Sequence, residues 1–146
     1  MLVIGLTGSA ASGKSTVAGF FAEAGAAVFD ADKTVHALYR AEAVPLVEAA
    51  FPGSTAGGAV DRKALGAKLT SDDALKKLEG IVHPLVRARE AAFREMAAKS
   101  GRRFVVLDIP LLFETGGEDR VDAVVVTSAP EAARRERLRQ RGTPDA

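Results

Sequence analysis

The sequence has no cysteine, no tryptophan and no asparagine, and only one glutamine, Gln140. Without cysteine there is neither a disulfide framework nor a thiolate metal site, which suits a reducing compartment. Without asparagine there is no Asn-Lys-x-Asp segment, the element with which GTPases usually read guanine. Long hydrophobic runs are missing too: the N-terminal apolar stretch MLVIGL is six residues, too short for a signal peptide or a membrane span. A net charge of +1 gives no general pull toward nucleic acid or a membrane surface. What remains is 146 residues of ordinary globular composition, 47% hydrophobic and 27% charged, enough for one domain with a sizeable core.

The charge is unevenly spread. Residues 61–103 hold eleven Lys/Arg against six Asp/Glu, and residues 131–141 hold five arginines against two glutamates. Such segments are either solvated helix faces or a site for a polyanion.

LVIGL (2–6) is a continuous apolar run, as a buried parallel strand requires. AAVFD (26–30), RFVVLD (103–108) and DAVVVTS (122–128) are predicted as further strands. Val17, Phe20, Phe21 and Ala24 recur at helical spacing, and Gly25 stops that helix. Residues 33–102 show no convincing strand. There Asp61 and Ser71 are predicted N-caps and Pro84 a first-turn proline. The helix after it carries Leu85, Ala88, Ala92 and Met96 on one side, with Val86, Phe93 and Ala97 beside them. Ser128 and Glu131 make a capping-box pattern before EAARRERLRQR. Thr143-Pro144-Asp145 is a helix-start signal with only Ala146 after it, which predicts a fold that continues past this sequence.

Strands alternating with helices predict an α/β fold with a parallel sheet, because parallel neighbours need crossovers. The helical stretch after the second strand is longer than one crossover needs. Leaving from the carboxyl edge of the sheet, where ligands bind in such folds, it is placed to hold a second substrate.

Within GLTGSAASGKSTVAGFF (5–21), Gly8 to Ser15 match G-x-x-x-x-G-K-S between a strand and a helix. The glycines let consecutive backbone N–H groups of Gly8, Ser9, Ala10, Ala11, Ser12 and Gly13 turn inward at the positive end of the next helix, a nest for phosphate oxygens. Lys14 adds a mobile charge for the β- and γ-phosphates, and Ser15 offers its hydroxyl to Mg²⁺. The loop is therefore predicted to hold a nucleoside triphosphate, and the parts for hydrolysing it are not visible. Gln140 lies in a basic helix, and Asp108, a Mg²⁺-side carboxylate at a strand end, is followed by Ile109 where many ATPase motors carry a water-activating glutamate. Transfer to a small acceptor needs positioning, charge neutralisation and a carboxylate facing the acceptor hydroxyl. Asp30 and Asp32 in FDAD leave the second strand at its carboxyl edge, and in an extended segment they would point to the same side. Asp32 also suits an N-cap of the helix KTVHALYR.

TGSAASGKST, VFDADKTVHAL, VDRKALGAKL, LKKLEGIVHPLVR and VVLDIPLLFE resemble the dephospho-coenzyme A kinases in order and spacing, over residues 2 to about 142. The resemblance implies a P-loop three-layer α/β/α fold with a parallel sheet, a helical acceptor-binding insertion and a lid. It implies a core from 1–32 and 103–146, including part of the lid, and an acceptor region from 33–102. The implied reaction moves the γ-phosphoryl of ATP, with Mg²⁺, to the 3′-hydroxyl of dephospho-CoA. By position, Asp32 is the implied general base and Lys14 the catalytic cation. The P-loop through Thr16, with Arg137 and Arg141 of the lid side, binds ATP, and Ser15 and Asp108 stand at the metal. Arg62, His83, Pro110 and Leu111 fall where the acceptor is held. Ser9 replaces a usual glycine, which is tolerable if its φ is negative. A cytoplasmic enzyme without nucleic-acid or membrane partners is expected, and the oligomeric state is not set by these residues. The alternatives are a P-loop kinase of another small alcohol and a nucleotide-binding module without turnover.

Overall fold

The computed structural model describes residues 1–110 and 112–142. Two compact units emerge: Met1–Ala31 with the chain from Arg94 onward (unit 1), and Asp32–Phe93 (unit 2).

Unit 1 is built on a parallel sheet of β1 (Leu2–Gly8), β2 (Ala27–Asp30), β5 (Phe104–Asp108) and β6 (Ala123–Thr127), in the order β2-β5-β1-β6. The α/β fold with a parallel sheet expected from the alternation is thus present. The two inner strands are the most buried: Val3 to Thr7 of β1 and Val105 to Asp108 of β5 are shielded from solvent. Helix α1 (Lys14–Glu23) lays Val17, Ala18 and Phe21 on Ile4, Leu6, Ala26 and Val106. Phe20, predicted on that face, points outward at 63% exposure, because the stripe follows 17, 18 and 21 instead. Gly5 is required by close approach, since a Cβ there would stand 2.6 Å from Leu112 Cδ1. Leu112 is fully buried, so it is a core residue. Helix α6 (Glu131–Gln140) starts at Pro130 with no side-chain cap, so the Ser128–Glu131 capping box does not form.

The register aligns the strand ends. Asp30 of β2 is level with Asp108 of β5, and Gly8 of β1 with Thr127 of β6. One carboxyl edge therefore collects Gly8, Asp30, Asp108 and Thr127.

Unit 2 packs α2 (Ala31–Leu38), α3 (Ala43–Ala50), α4 (Arg62–Lys68) and the first part of α5 (Asp72–Lys99) around Leu38, Val47, Phe51, Leu65, Leu78 and Val82. Asp61 caps α4 through the amides of Lys63 and Ala64, and Ser71 accepts from the Ala74 amide, as predicted. Contrary to the strand-free expectation, β3 (Thr55–Ala56) and β4 (Ala59–Val60) form a hairpin. Its turn is Gly57-Gly58, both at positive φ, the pairing a tight two-residue turn demands. Pro84 does not open a helix: it lies inside the 28-residue α5. Proline removes one bond to the Gly80 carbonyl. Gly80 and Pro84 are both exposed, so the break falls on the solvent side, while Leu78, Val82, Leu85 and Val86 hold the helix to the core. The buried face accordingly runs through Leu78, Val82, Glu90 and Ala97, whereas Ala88 and Ala92 are exposed and Met96 is 70% exposed.

Candidate active site

The P-loop leaves β1 at Gly8, where a Cβ would collide with the Thr127 and Ser12 hydroxyl oxygens. Those hydroxyls bond each other at 2.7 Å, and Thr127 Oγ1 also donates to the Thr7 carbonyl at 3.3 Å. Ser12 and Thr127 are buried, so the loop is pinned to the end of β6 by a dry polar contact. Within the loop the Ser12 amide donates to the Ser9 carbonyl, and Gly13, at φ 94°, begins α1. Among the described non-glycine residues only Ala11 has a positive φ, 59°. Ser9 therefore keeps an ordinary backbone, and the left-handed turn falls two residues later, where alanine's small side chain limits the strain.

Lys14, the first residue of α1, places Nζ 2.9 Å from Asp108 Oδ1. Both side chains are largely buried, which strengthens the pairing relative to a surface one. From α6, Arg137 Nη1 donates to the Ala11 carbonyl at 2.9 Å and Arg134 Nη1 to Ser9 Oγ at 3.1 Å. Of the lid-side arginines expected at the phosphates, Arg137 reaches the loop. Arg141 caps the far end of α6 and is exposed, and Arg134, one turn before Arg137 on the same helical face, reaches the loop as well. Ser15 and Thr16 are exposed in the first turn of α1.

Unit 2 contains a cleft of about 550 Å³. One wall is α2 with its following residue: Asp32, Val35, His36 and Tyr39, spaced as one helical face. The other is α4 with its following residue: Arg62, Leu65, Gly66 and Leu69, in the same spacing, and Leu78 adds to the lining. The Arg62 guanidinium sits 5.2 Å from the Tyr39 ring centroid, so the end of α2 meets the start of α4. Burial pushes the Tyr39 phenol above its ordinary range, with Arg62 pulling weakly the other way.

Asp30 and Asp32 do not share an extended segment. Helix α2 begins at Ala31, which puts Asp32 in its first turn instead of at its N-cap, where the helix dipole favours a carboxylate. Arg62 lies in the cleft, as does Asp32. His83 is exposed on α5 and is not among the cleft residues, Pro110 is half-buried after β5, and Leu111 lies outside the described residues, as does Thr143-Pro144-Asp145. His36 and Tyr39 are the cleft residues with polar side-chain groups that sequence reasoning missed. Their signal was present as the i+4 and i+7 partners of Asp32.

A family model described as dephospho-CoA kinase matches residues 2–144. The chain belongs to the dephospho-CoA kinase family. It is 57% identical over 148 residues to a dephospho-CoA kinase of Rhodopseudomonas palustris, covering 99% of this chain and 74% of that protein. A dephospho-CoA kinase of Agrobacterium fabrum is 57% identical over 142 residues, covering 97% and 73%. Among solved structures, TT1252 from Thermus thermophilus superposes with a TM-score of 0.82 at 36% identity, covering 96% of this chain and 72% of that one. A dephospho-CoA kinase from Campylobacter jejuni shares the fold, with a TM-score of 0.65 at 21% identity and 94% coverage of each chain. Membership of a kinase family accounts for a P-loop without visible hydrolytic parts, and the family match runs through both units.

Proposed function

We propose that this chain transfers the γ-phosphoryl group of ATP to the 3′-hydroxyl of dephospho-CoA, a step of coenzyme A synthesis. The observation that carries the reading is the division of labour between a phosphate loop in unit 1 and a carboxylate-bearing cleft in unit 2. The backbone amides of Gly8 to Gly13 hold the β- and γ-phosphates at the N-terminus of α1. Lys14 exchanges its carboxylate partner for γ-phosphoryl oxygens and follows the charge as it moves. Arg134 and Arg137, already on the loop, belong to the part of the lid in residues 103–146 and spread the remaining negative charge.

Asp32 accepts the proton of the acceptor hydroxyl, and the oxygen then attacks the γ-phosphorus as the bond to the bridging oxygen of ADP breaks. His36 and Arg62 hold the acceptor along the two helical faces. The cationic excess of residues 61–103 serves this phosphorylated small molecule rather than nucleic acid.

For Mg²⁺ the available donors are hard oxygens: the Ser15 hydroxyl at the first turn of α1 and the Asp108 carboxylate at the sheet edge, with Asp30 level with it. Among the described residues no group of three or more His, Cys, Asp or Glu side chains could cage a metal, which fits an ion that keeps most of its waters and leans on phosphates. When bound, the ion neutralises phosphate charge. Since ATP and the acceptor are polyanions that do not cross membranes unaided, the reaction is assigned to the cytoplasm. No helix among the described residues is long and apolar enough to cross a membrane.

Incubation with γ-labelled ATP and a panel of dephospho-CoA, adenosine and shikimate tests the proposal. Label is expected on dephospho-CoA at the 3′ position with the highest kcat/KM. Preference for another alcohol, or ATP binding without any transfer, would refute it.

A further inference from the structure

We infer that Tyr39 sets acceptor specificity by holding the Arg62 guanidinium where the diphosphate of a nucleoside diphosphate ester arrives, an inference that rests on the cleft being the acceptor site. Arg62 opens α4 with its Cζ 5.2 Å from the Tyr39 ring centroid. A guanidinium held over a ring makes no hydrogen bond to it, so its N–H groups stay available to fork onto phosphate oxygens.

The ring is the fixed member of the pair. Tyr39 prolongs α2, its amide N–H donating a hydrogen bond to the Val35 carbonyl; its own carbonyl accepts from the Val60 amide at 2.7 Å, and its half-buried ring packs against the unit 2 core. Because burial holds the phenol protonated well past neutrality, the ring stays uncharged. An anchored ring removes freedom from a long side chain before the ligand arrives, so less is lost on binding.

The spacing selects the ligand. Tyr39 follows Asp32 by seven residues on one helical face, an advance of about 10 Å. That is the order of the span from a ribose hydroxyl across the sugar to phosphates hanging from its 5′ carbon. An acceptor with its hydroxyl at Asp32 therefore lays its diphosphate at Arg62. A bare nucleoside reaches Asp32 but leaves Arg62 unused.

Steady-state kinetics at saturating ATP, with dephospho-CoA and with adenosine, test this. Tyr39→Leu should raise KM for dephospho-CoA about tenfold, the scale of one well-formed cation–π contact, while KM for ATP and the poor turnover of adenosine hold. Tyr39→Phe, which keeps the ring, should recover most of that affinity. Arg62→Gln should cost at least as much as Tyr39→Leu, and the double variant no more than Arg62→Gln alone, because the ring acts only through the guanidinium. Additive losses in the double variant, or a Tyr39→Phe protein as impaired as Tyr39→Leu, would overturn the inference. Should Tyr39→Leu fail to fold, Arg62→Lys decides: it keeps the charge but not the planar fork, and an unchanged acceptor KM would be equally fatal. Failure of the underlying assignment looks different, because wild-type protein would then not phosphorylate dephospho-CoA at all.

Discussion

Unit 1 presents its ligand groups at the ends of elements: amides where β1 gives way to α1, a carboxylate at the tip of β5, a hydroxyl at the tip of β6. Unit 2 presents its groups along the sides of elements, two helices each offering a four-residue stripe. A cradle of main-chain N–H groups binds what every nucleoside triphosphate has in common, so it is built from glycines and backbone geometry. In the proposed function a cleft between helix faces binds what distinguishes one acceptor from another, so it is built from side chains. The contrast predicts separable effects: damage to the cradle moves the kinetics of ATP, and damage to the cleft those of the acceptor.

The largest expected effect breaks chemistry without breaking either binding region. Asp32→Asn should lower kcat about 10²- to 10⁴-fold with both KM values nearly constant, measured by coupled ADP release. An undiminished kcat would remove Asp32 as the base. Next, Lys14→Ala should cost about 10²- to 10³-fold in kcat, the usual worth of one preorganised charge on a transition state, and raise KM for ATP but not for dephospho-CoA. Equal rises in both would mean that the two regions are not separable.

Thr127→Val sharpens the comparison from outside the cradle. The swap keeps shape but strands the buried Ser12 hydroxyl, a loss of about 1–3 kcal/mol that loosens the loop. KM for ATP should rise several-fold and KM for the acceptor should not, with Thr127→Ser close to wild type. The smallest effect is on stability alone. Glu48 binds the Gly53 and Thr55 amides and the Thr55 hydroxyl, and these bonds, the Gly53 amide first, hold its carboxyl below the ordinary range. A lowered folded-state pKa contributes stability above the ordinary glutamate range that is lost as pH falls through the folded value. Glu48→Gln should therefore melt slightly lower than wild type near neutrality, and the gap should close in acid. A gap that widened toward low pH would contradict the assignment.

The same contrast explains what could be read from the sequence. The cradle was legible because phosphate binding by backbone fixes glycine, lysine and serine at set intervals, and the four long strands because a parallel sheet wants continuous apolar runs. The Gly57-Gly58 hairpin was hidden by strands two residues long, too short to show any period. Pro84 misled because its local rule is strong, yet a hydrophobic face on both sides outweighed one lost hydrogen bond. Asp32 and Arg62, both named from the sequence, line the cleft, but His36 and Tyr39 beside them were not named. The i+4 and i+7 partners of any surface helix look alike until the opposite wall is known, and only the fold brings Arg62 to Tyr39. Arg134 was likewise one of several arginines on α6, and which of them meets the loop depends on the pitch of that helix against β1 and β6.

The pairing of Lys14 with Asp108 bears on which anions compete for the cradle. A cradle whose lysine already holds an internal anion offers little reward to a weakly charged visitor such as inorganic phosphate or a chloride ion. Only a ligand that brings several negative charges, spread over the whole length of the loop, outcompetes the resident carboxylate. On the proposed function, the lysine's attachment sets a threshold that favours triphosphates over smaller anions.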